Sequence, residues 1–215
     1  MKENFELYYQ YLIQQNNIHN LTAVTKREEV WVKHFDDSLA GLNLMPYDAD
    51  ILDIGAGAGF PSVPLKIVRD DLSITMIDSV KKKVDFLNGL IEFLGLNKIT
   101  AKHIRAEDMR RASAAQYDVC VARAVARLNV LSEYALPFVK VGGIFIAYKS
   151  ADIDGEIEEA KTAFKILGGE VDNIKKYTLD CNGEKVERKL VVIKKINETP
   201  SQYPRGGNKP RLKPL

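Results

Sequence analysis

Asp53-Ile54-Gly55-Ala56-Gly57-Ala58-Gly59-Phe60-Pro61 follows the apolar run Ile51–Ile54 and precedes a helical run through Val63 and Ile67. Strand, glycine turn and helix in succession make one βα unit. Glycines at alternate positions let the backbone turn sharply and let a ligand lie against main-chain atoms with no Cβ between. The spacing is G-x-G-x-G, not the G-x-G-x-x-G of dinucleotide sites, and the Lys-Ser/Thr of a P-loop is missing. Phosphate is therefore not the expected ligand. Asp78 ends the next apolar run, about twenty residues on, where a carboxylate can accept both hydroxyls of a ribose. Asp53 adds a second negative charge, which suits a cationic ligand and opposes a pyrophosphate. Loop and acid together favour S-adenosylmethionine, whose sulfonium and amino group are positive, over NAD.

Outward from this unit the same alternation continues. Ser73–Ile77, Ile99–His103, Tyr117–Ala122 and Ile144–Tyr148 read as further strands, and Val84, Leu87, Leu90, Ile91 and Leu94 mark a helix that begins after Ser79 and stops at Gly95. A mostly parallel sheet follows from strands alternating with helices. Past Asp152, Ile157, Ala160, Phe164 and Leu167 predict another helix. Glu170–Thr178 and Glu184–Ile196, joined through Cys181-Asn182-Gly183, predict an antiparallel hairpin, because Asn-Gly suits its turn. Ahead of the sheet, Phe5, Tyr8, Leu12 and Ile13 have helical spacing. Thr25-Lys26-Arg27-Glu28 has the form of a capping box opening a second helix through Val30, Trp31, His34, Phe35 and Leu39. The expected organisation is a helical cap over 1–45, an α/β domain over 46–198 and a basic tail over 199–215 packed on or near the site. That tail holds Arg205, Lys209, Arg211 and Lys213 and no acid between Pro204 and Leu215, with no periodicity of its own.

The 215 residues are 46% hydrophobic and 28% charged, which excludes a mainly disordered or fibrous chain. A net charge of +2 gives no global basic field, so any nucleic-acid affinity must come from local clusters. The two cysteines, Cys120 and Cys181, stand far apart with no Cys/His pattern, so neither a disulfide framework nor a metal site is expected. Acids at Glu3 and Glu6 and the lack of a long apolar stretch predict a cytoplasmic chain without a membrane segment.

Three more positions are candidates for the pocket at the carboxyl ends of the strands. Ala106-Glu107, after the third strand, can set a small residue and a main-chain amide against adenine or be an exposed turn. Arg123 ends an apolar strand where a core role is implausible. His34 has helical spacing and either faces the pocket or fills the cap interface. Cys120 alternates inward and reads as a small buried hydrophobe.

Asn20-Leu21-Thr22, His34-Phe35, Asp37-Ser38-Leu39, Asp53–Pro61, Leu72–Ser79, Arg105-Ala106-Glu107, Ala122–Ala126 with Leu128, and Gly142-Gly143 to Lys149 resemble, in order, the glucose-inhibited division protein B family. These are the small-subunit 16S ribosomal RNA guanine-N7 methyltransferases. The resemblance implies a Rossmann-like class I S-adenosylmethionine-dependent methyltransferase fold, with a mostly parallel seven-stranded sheet, an antiparallel final strand and the helical cap. It implies cofactor contacts from Gly55, Phe60, Ala106, Glu107 and Arg123, beside Gly57, Gly59 and Asp78 read from the loop and the second strand. The family tail usually has glycine where Asn208 stands, and glycine where Ser150 follows Lys149.

Guanine N7 carries a free lone pair, so methyl transfer needs no general base and no catalytic residue is assigned. Rate can come from holding nitrogen, methyl and sulfur in line, with effective molarity supplying roughly 7–11 kcal/mol. His34, Lys149, Arg205 and Lys209 are the expected contacts to 16S ribosomal RNA or the small subunit. Removing Pro204–Leu215 is accordingly expected to weaken RNA binding and spare the cofactor. No metal and no obligate protein partner are expected. A small-molecule or protein methyltransferase shares the cofactor reading, since the loop does not choose the acceptor. A non-catalytic binding module is the third alternative.

Overall fold

The computed structural model describes residues 1–109 and 115–215. Five βα-type strands and a hairpin form one sheet: β1 (Asp50–Ile54), β2 (Ser73–Asp78), β3 (Ile99–His103), β4 (Tyr117–Arg123), β5 (Val139–Ser150), β6 (Gly169–Cys181) and β7 (Glu184–Lys195). Their spatial order is β3-β2-β1-β4-β5-β7-β6. All pairs from β3 to β5 are parallel, and β7 runs antiparallel to both β5 and β6. The chain leaves β1 towards one edge and returns to β4 on its other side, so the carboxyl ends of β1 and β4 form a topological switch point.

Helices cover both faces. α1 (Lys2–His19), α2 (Arg27–Val30), α3 (Asp37–Leu39), α4 (Ser62–Val68) and α5 (Lys81–Phe93) lie on one side; α6 (Leu128–Ala135) and α7 (Asp154–Leu167) lie on the other. A short α8 (Lys209–Leu212) lies in the tail. α1 buries Phe5, Tyr8 and Leu12, the predicted stripe. Its aromatics stack on the glycine loop: Tyr8 lies 5.4 Å from Phe60 and 5.2 Å from Phe35, centroid to centroid. Each such pair contributes about 0.5–1.5 kcal/mol beyond simple burial, so the cap and the loop are one packed unit.

The second helix differs from its prediction. It starts at Arg27, one residue later than a Thr25–Glu28 capping box requires, and Lys26 at its N-cap makes no side-chain cap. Thr25 instead presents its carbonyl to the Tyr9 hydroxyl. The helix then widens into a π-helix over Trp31–Asp36 before closing as α3. α6 has no counterpart in the sequence reading, because nearly every side chain in it is buried and no polar face marks its period. β5 begins at Val139, earlier than the predicted Ile144, since Val139 pairs with Tyr117 across an irregularity in the ladder. The hairpin turn has φ 56° at Asn182 and 85° at Gly183, as Asn-Gly predicts.

Candidate active site

Two hollows open at the carboxyl ends of the strands. The first, of about 450 Å³, is lined by Gly55 after β1, Asp78 and Lys83 around the end of β2, Ala106 and Glu107 after β3, and Val125 after β4. Its floor is the glycine loop, drawn onto β2 because Gly55 and Ala56 both donate to the Ile77 carbonyl at 2.9 and 3.1 Å. Asp78 completes the attachment: its Oδ2 accepts the Gly57 N–H at 3.0 Å and its Oδ1 the Val80 N–H at 2.8 Å. Each oxygen has capacity to accept a further hydrogen bond, and Lys83 Nζ lies 3.9 Å from Oδ2. Gly55 sits at φ +72°, and a Cβ there would lie 2.7 Å from Val125 Cγ2, so bare backbone is what keeps this wall open.

The second hollow, of about 430 Å³, lies between the cap and β4, β5 and β7, lined by His34, Asp37, Arg123, Tyr148, Lys149 and Arg188 among others. Asp37 is its hub. Its nearly buried carboxylate accepts Arg123 Nη1 at 2.8 Å and the Tyr177 hydroxyl at 2.7 Å, with Arg188 Nε at 3.8 Å. Arg123 also donates to the Lys33 carbonyl and lies over the Phe60 ring at 4.8 Å. Lys149 is held by the Ala126 carbonyl at 2.8 Å and Glu156 at 2.6 Å. Ala124, at φ 57°, lines both hollows and is where they meet.

The predicted residues divide between these places. Gly55, Asp78, Ala106 and Glu107 surround the first hollow. Gly57 stands behind its floor, with its N–H on Asp78. Gly59 and Phe60 are buried under the cap, Gly59 against Tyr8 and Phe60 between Tyr8 and His34. The side chain of Arg123, expected with the cofactor, is turned to the second hollow because Asp37 captures it. There it joins His34 and Lys149, two of the expected RNA contacts. Arg205, expected at phosphates, is engaged by the buried Glu133. Lys209 opens α8 and is exposed. Lys83, Tyr134 and Asn208 line the first hollow and Asp37, Glu156 and Arg188 the second without a site role read from the sequence, and Arg211, read with the basic tail, lines the first. Only Asp37 carried a local signal, an acid three residues after His34 on the apolar face of the same helix.

Two buried groups have strongly shifted acidities. Burial, then the Arg123 charge, lower His34 from 6.5 to about 4, so the imidazole is neutral at pH 7. Burial raises Asp53 to about 7, against smaller opposing effects from Ser62 and Arg123, and neither carboxylate oxygen has a hydrogen-bond partner of good geometry. Both titrate in one window with opposite signs. Because folded His34 binds fewer protons than the unfolded chain between about 4 and 6.5, it makes stability fall as pH drops through that range. Folded Asp53 binds more protons than the unfolded chain, so its contribution falls as pH rises from 3.8 towards 7. Comparing the wild type with His34→Gln isolates the first. Relative to the wild type, the variant is expected to gain about 1–2 kcal/mol on going from pH 7 to pH 5, read by urea denaturation at both values. An equal change in both proteins would show that His34 does not titrate low.

Cys120 is buried, its Sγ 3.7 Å from the Ala135 carbonyl, and its thiol is pushed up by burial, as suits an inert core residue. Among the described residues no His, Cys, Asp and Glu cluster could hold a metal, and no helix is long and apolar enough to cross a membrane.

The fold is shared with TYW2 of M. jannaschii, solved in complex with AdoMet: TM-score 0.61 at 14% identity, over 76% of this chain and 76% of that one. Sequence relatives are far closer. The ribosomal RNA small subunit methyltransferase G of Desulforamulus reducens is 48% identical over 215 residues, spanning 98% of this chain and 89% of the relative. The protein of the same name from Lactobacillus acidophilus is 44% identical over 220 residues, spanning 100% and 91%. Residues 1–190 match the family model GidB, rRNA small subunit methyltransferase G. With the family model matching most of the chain and relatives this similar along nearly its full length, this chain belongs to the GidB family of rRNA small subunit methyltransferases G.

Proposed function

We propose that the chain transfers a methyl group from S-adenosylmethionine to N7 of a guanine in the 16S RNA of the small ribosomal subunit. The observation that carries this reading is the meeting of two hollows at Ala124: one with the acid, bare glycine wall and small-residue turn that suit an adenosyl ligand, the other lined by four cations, Lys33, Arg123, Lys149 and Arg188, against two acids, Asp37 and Glu156. The first fits the cofactor by chemistry. Asp78 keeps lone pairs for hydroxyls, Ala106 leaves room for a flat ring, and Gly55 exposes main chain. Bound there, S-adenosylmethionine supplies an electrophilic methyl group.

The second hollow receives the base. Arg123 and Lys149 are fixed donors whose charges suit O6 of guanine, the acceptor beside N7. Neutral His34, stacked on Phe60 at 4.5 Å, stands beside them and offers a flat face for the base. None of these groups has to remove a proton, because N7 attacks through a lone pair it already has. Their part is orientation, the entropic share of the barrier. Lys33 and Arg188 at the rim face the incoming backbone.

Incubation with methyl-labelled S-adenosylmethionine and unmodified small subunits tests the reading. Label is expected at one guanosine, revealed by the strand cleavage to which N7-methylguanosine is prone. Label on protein, on another base atom, or nowhere in RNA despite cofactor binding would overturn it.

A further inference from the structure

Glu133, fully buried on α6, holds the last residues of the chain in place. Its Oε1 accepts the Arg205 backbone N–H at 2.7 Å and Nε at 2.9 Å, and its Oε2 accepts Nη2 at 2.6 Å. Arg205 Nη2 donates further to the Lys213 carbonyl at 2.9 Å, closing the tail on itself. Pro210 is buried, and Tyr203 and Leu215 pack on the core cluster that includes the buried side chains of α6 and α7. A segment whose composition is that of a solvated basic arm is thus fastened along its length. A buried carboxylate saturated by one arginine fixes geometry, whereas free phosphate-binding side chains stay open to solvent.

This fastening has a consequence for the first hollow, because Asn208 and Arg211 line it together with Gly55 of the glycine loop. α6 joins the two ends: Glu133 takes the tail, and its neighbour Tyr134 lines the hollow together with Arg211. Arg211 is otherwise exposed, as a group poised for a ligand is. It brings a guanidinium and Asn208 an amide, both N–H donors, to a cavity whose other charged lining groups are Asp78, Lys83, Arg105 and Glu107.

We propose that Asn208 and Arg211 bind the cofactor directly, as the C-terminal wall of its site, and that the Arg205–Glu133 pair is the positioning latch that holds them there. This rests on the first hollow being the S-adenosylmethionine site. The tail then acts first on the cofactor, and a ligand that engages it must stabilise it in return.

Arg211→Ala and Asn208→Ala change exposed side chains and leave the fold intact. Calorimetry with S-adenosylhomocysteine is expected to show about tenfold weaker binding for Arg211→Ala, the scale of one charge-assisted hydrogen bond, with Arg211→Lys intermediate and affinity for small-subunit RNA unchanged. Trypsin gives the reciprocal reading at the Arg205–Gly206 bond, scored by mass spectrometry separately from the Arg211–Leu212 bond, since Lys209 and Lys213 precede prolines and resist cleavage. S-adenosylhomocysteine is expected to slow cleavage there in the wild type and to lose that protection in Arg211→Ala. Glu133→Gln is expected to speed cleavage and weaken binding together. If Arg211→Ala binds S-adenosylhomocysteine like the wild type and loses RNA affinity instead, the tail is an RNA arm and the proposal falls while the cofactor site stands. If the wild type itself fails to bind, the cofactor reading fails and takes the proposal with it.

Discussion

Gly59→Ala is expected to cost the folded protein about 3–5 kcal/mol, and Gly57→Ala only about 1–2 kcal/mol, although the two glycines share one motif. Both sit at positive φ, +98° and +60°, and so both variants carry backbone strain. The difference is space. A Cβ at Gly59 would lie 2.7 Å from the Tyr8 hydroxyl, 2.8 Å from Val63 and 3.2 Å from Leu87, all in the packed seam between α1, α4 and α5. At Gly57 the nearest atom is the Gly55 carbonyl oxygen at 3.9 Å. Moving Tyr8 aside would also break its hydrogen bond to the Ala58 carbonyl, which ties α1 to the loop. Urea denaturation reads the two costs, and Tyr8→Phe in the Gly59→Ala background should recover part of the larger one. Equal costs at the two positions would mean that conformational strain alone sets them. Gly55→Ala completes the series with a different phenotype. Its Cβ meets Val125, a lining side chain of the first hollow, so the loss is expected mainly in S-adenosylhomocysteine affinity.

These three glycines show how far the sequence could be read. Their spacing, with Asp78 at the end of the next strand, is local, and it located the switch point of the sheet and the first hollow. It could not assign each glycine a task, because Gly59 answers to Tyr8, half a hundred residues earlier, and Gly57 to Asp78. The same limit explains the tail and the second hollow. Arg205 reads as a free cation until Glu133, 72 residues away, is seen beneath it. Arg123, read as a cofactor contact, has its side chain held by Asp37, 86 residues away, a partner that no local pattern shows. Periodic signals failed for one reason in α6: a segment buried on nearly all sides has no polar stripe to reveal its pitch. Where a residue's partner lies within a turn or along one strand, the pattern is legible; where the fold brings the partner from another layer, it is not.

Asp37→Ala is expected to lower methyl transfer at least about 100-fold, and to destabilise the protein by about 3–5 kcal/mol, while S-adenosylhomocysteine affinity stays within about threefold. The stability term follows from what one carboxylate holds. Asp37 is 2% exposed and joins Arg123 at the end of β4, Tyr177 on β6 and Arg188 on β7 to the cap. Without it, Arg123 keeps the Lys33 carbonyl as an acceptor but its charge has no counter-charge, and Tyr177 loses its acceptor. Removing one member of a buried pair costs far more than removing an exposed one. Asp85→Ala, which opens the solvent-exposed pair with Lys81, is the control and is expected to change stability by less than about 0.5 kcal/mol. The activity term follows from position. Arg123 and Arg188 repel each other once Asp37 no longer lies between them, and a displacement of about 1 Å at the base is enough for a 100-fold loss. The cofactor term separates the two hollows, because Asp37 lines only the second. Asp37→Asn keeps an oxygen for Arg123 and an amide that can still meet the Tyr177 hydroxyl, so it should restore much of the stability and less of the rate. Loss of S-adenosylhomocysteine binding in step with transfer would show that the hollows are one site, and a variant as active as the wild type would remove Arg123 from the reaction.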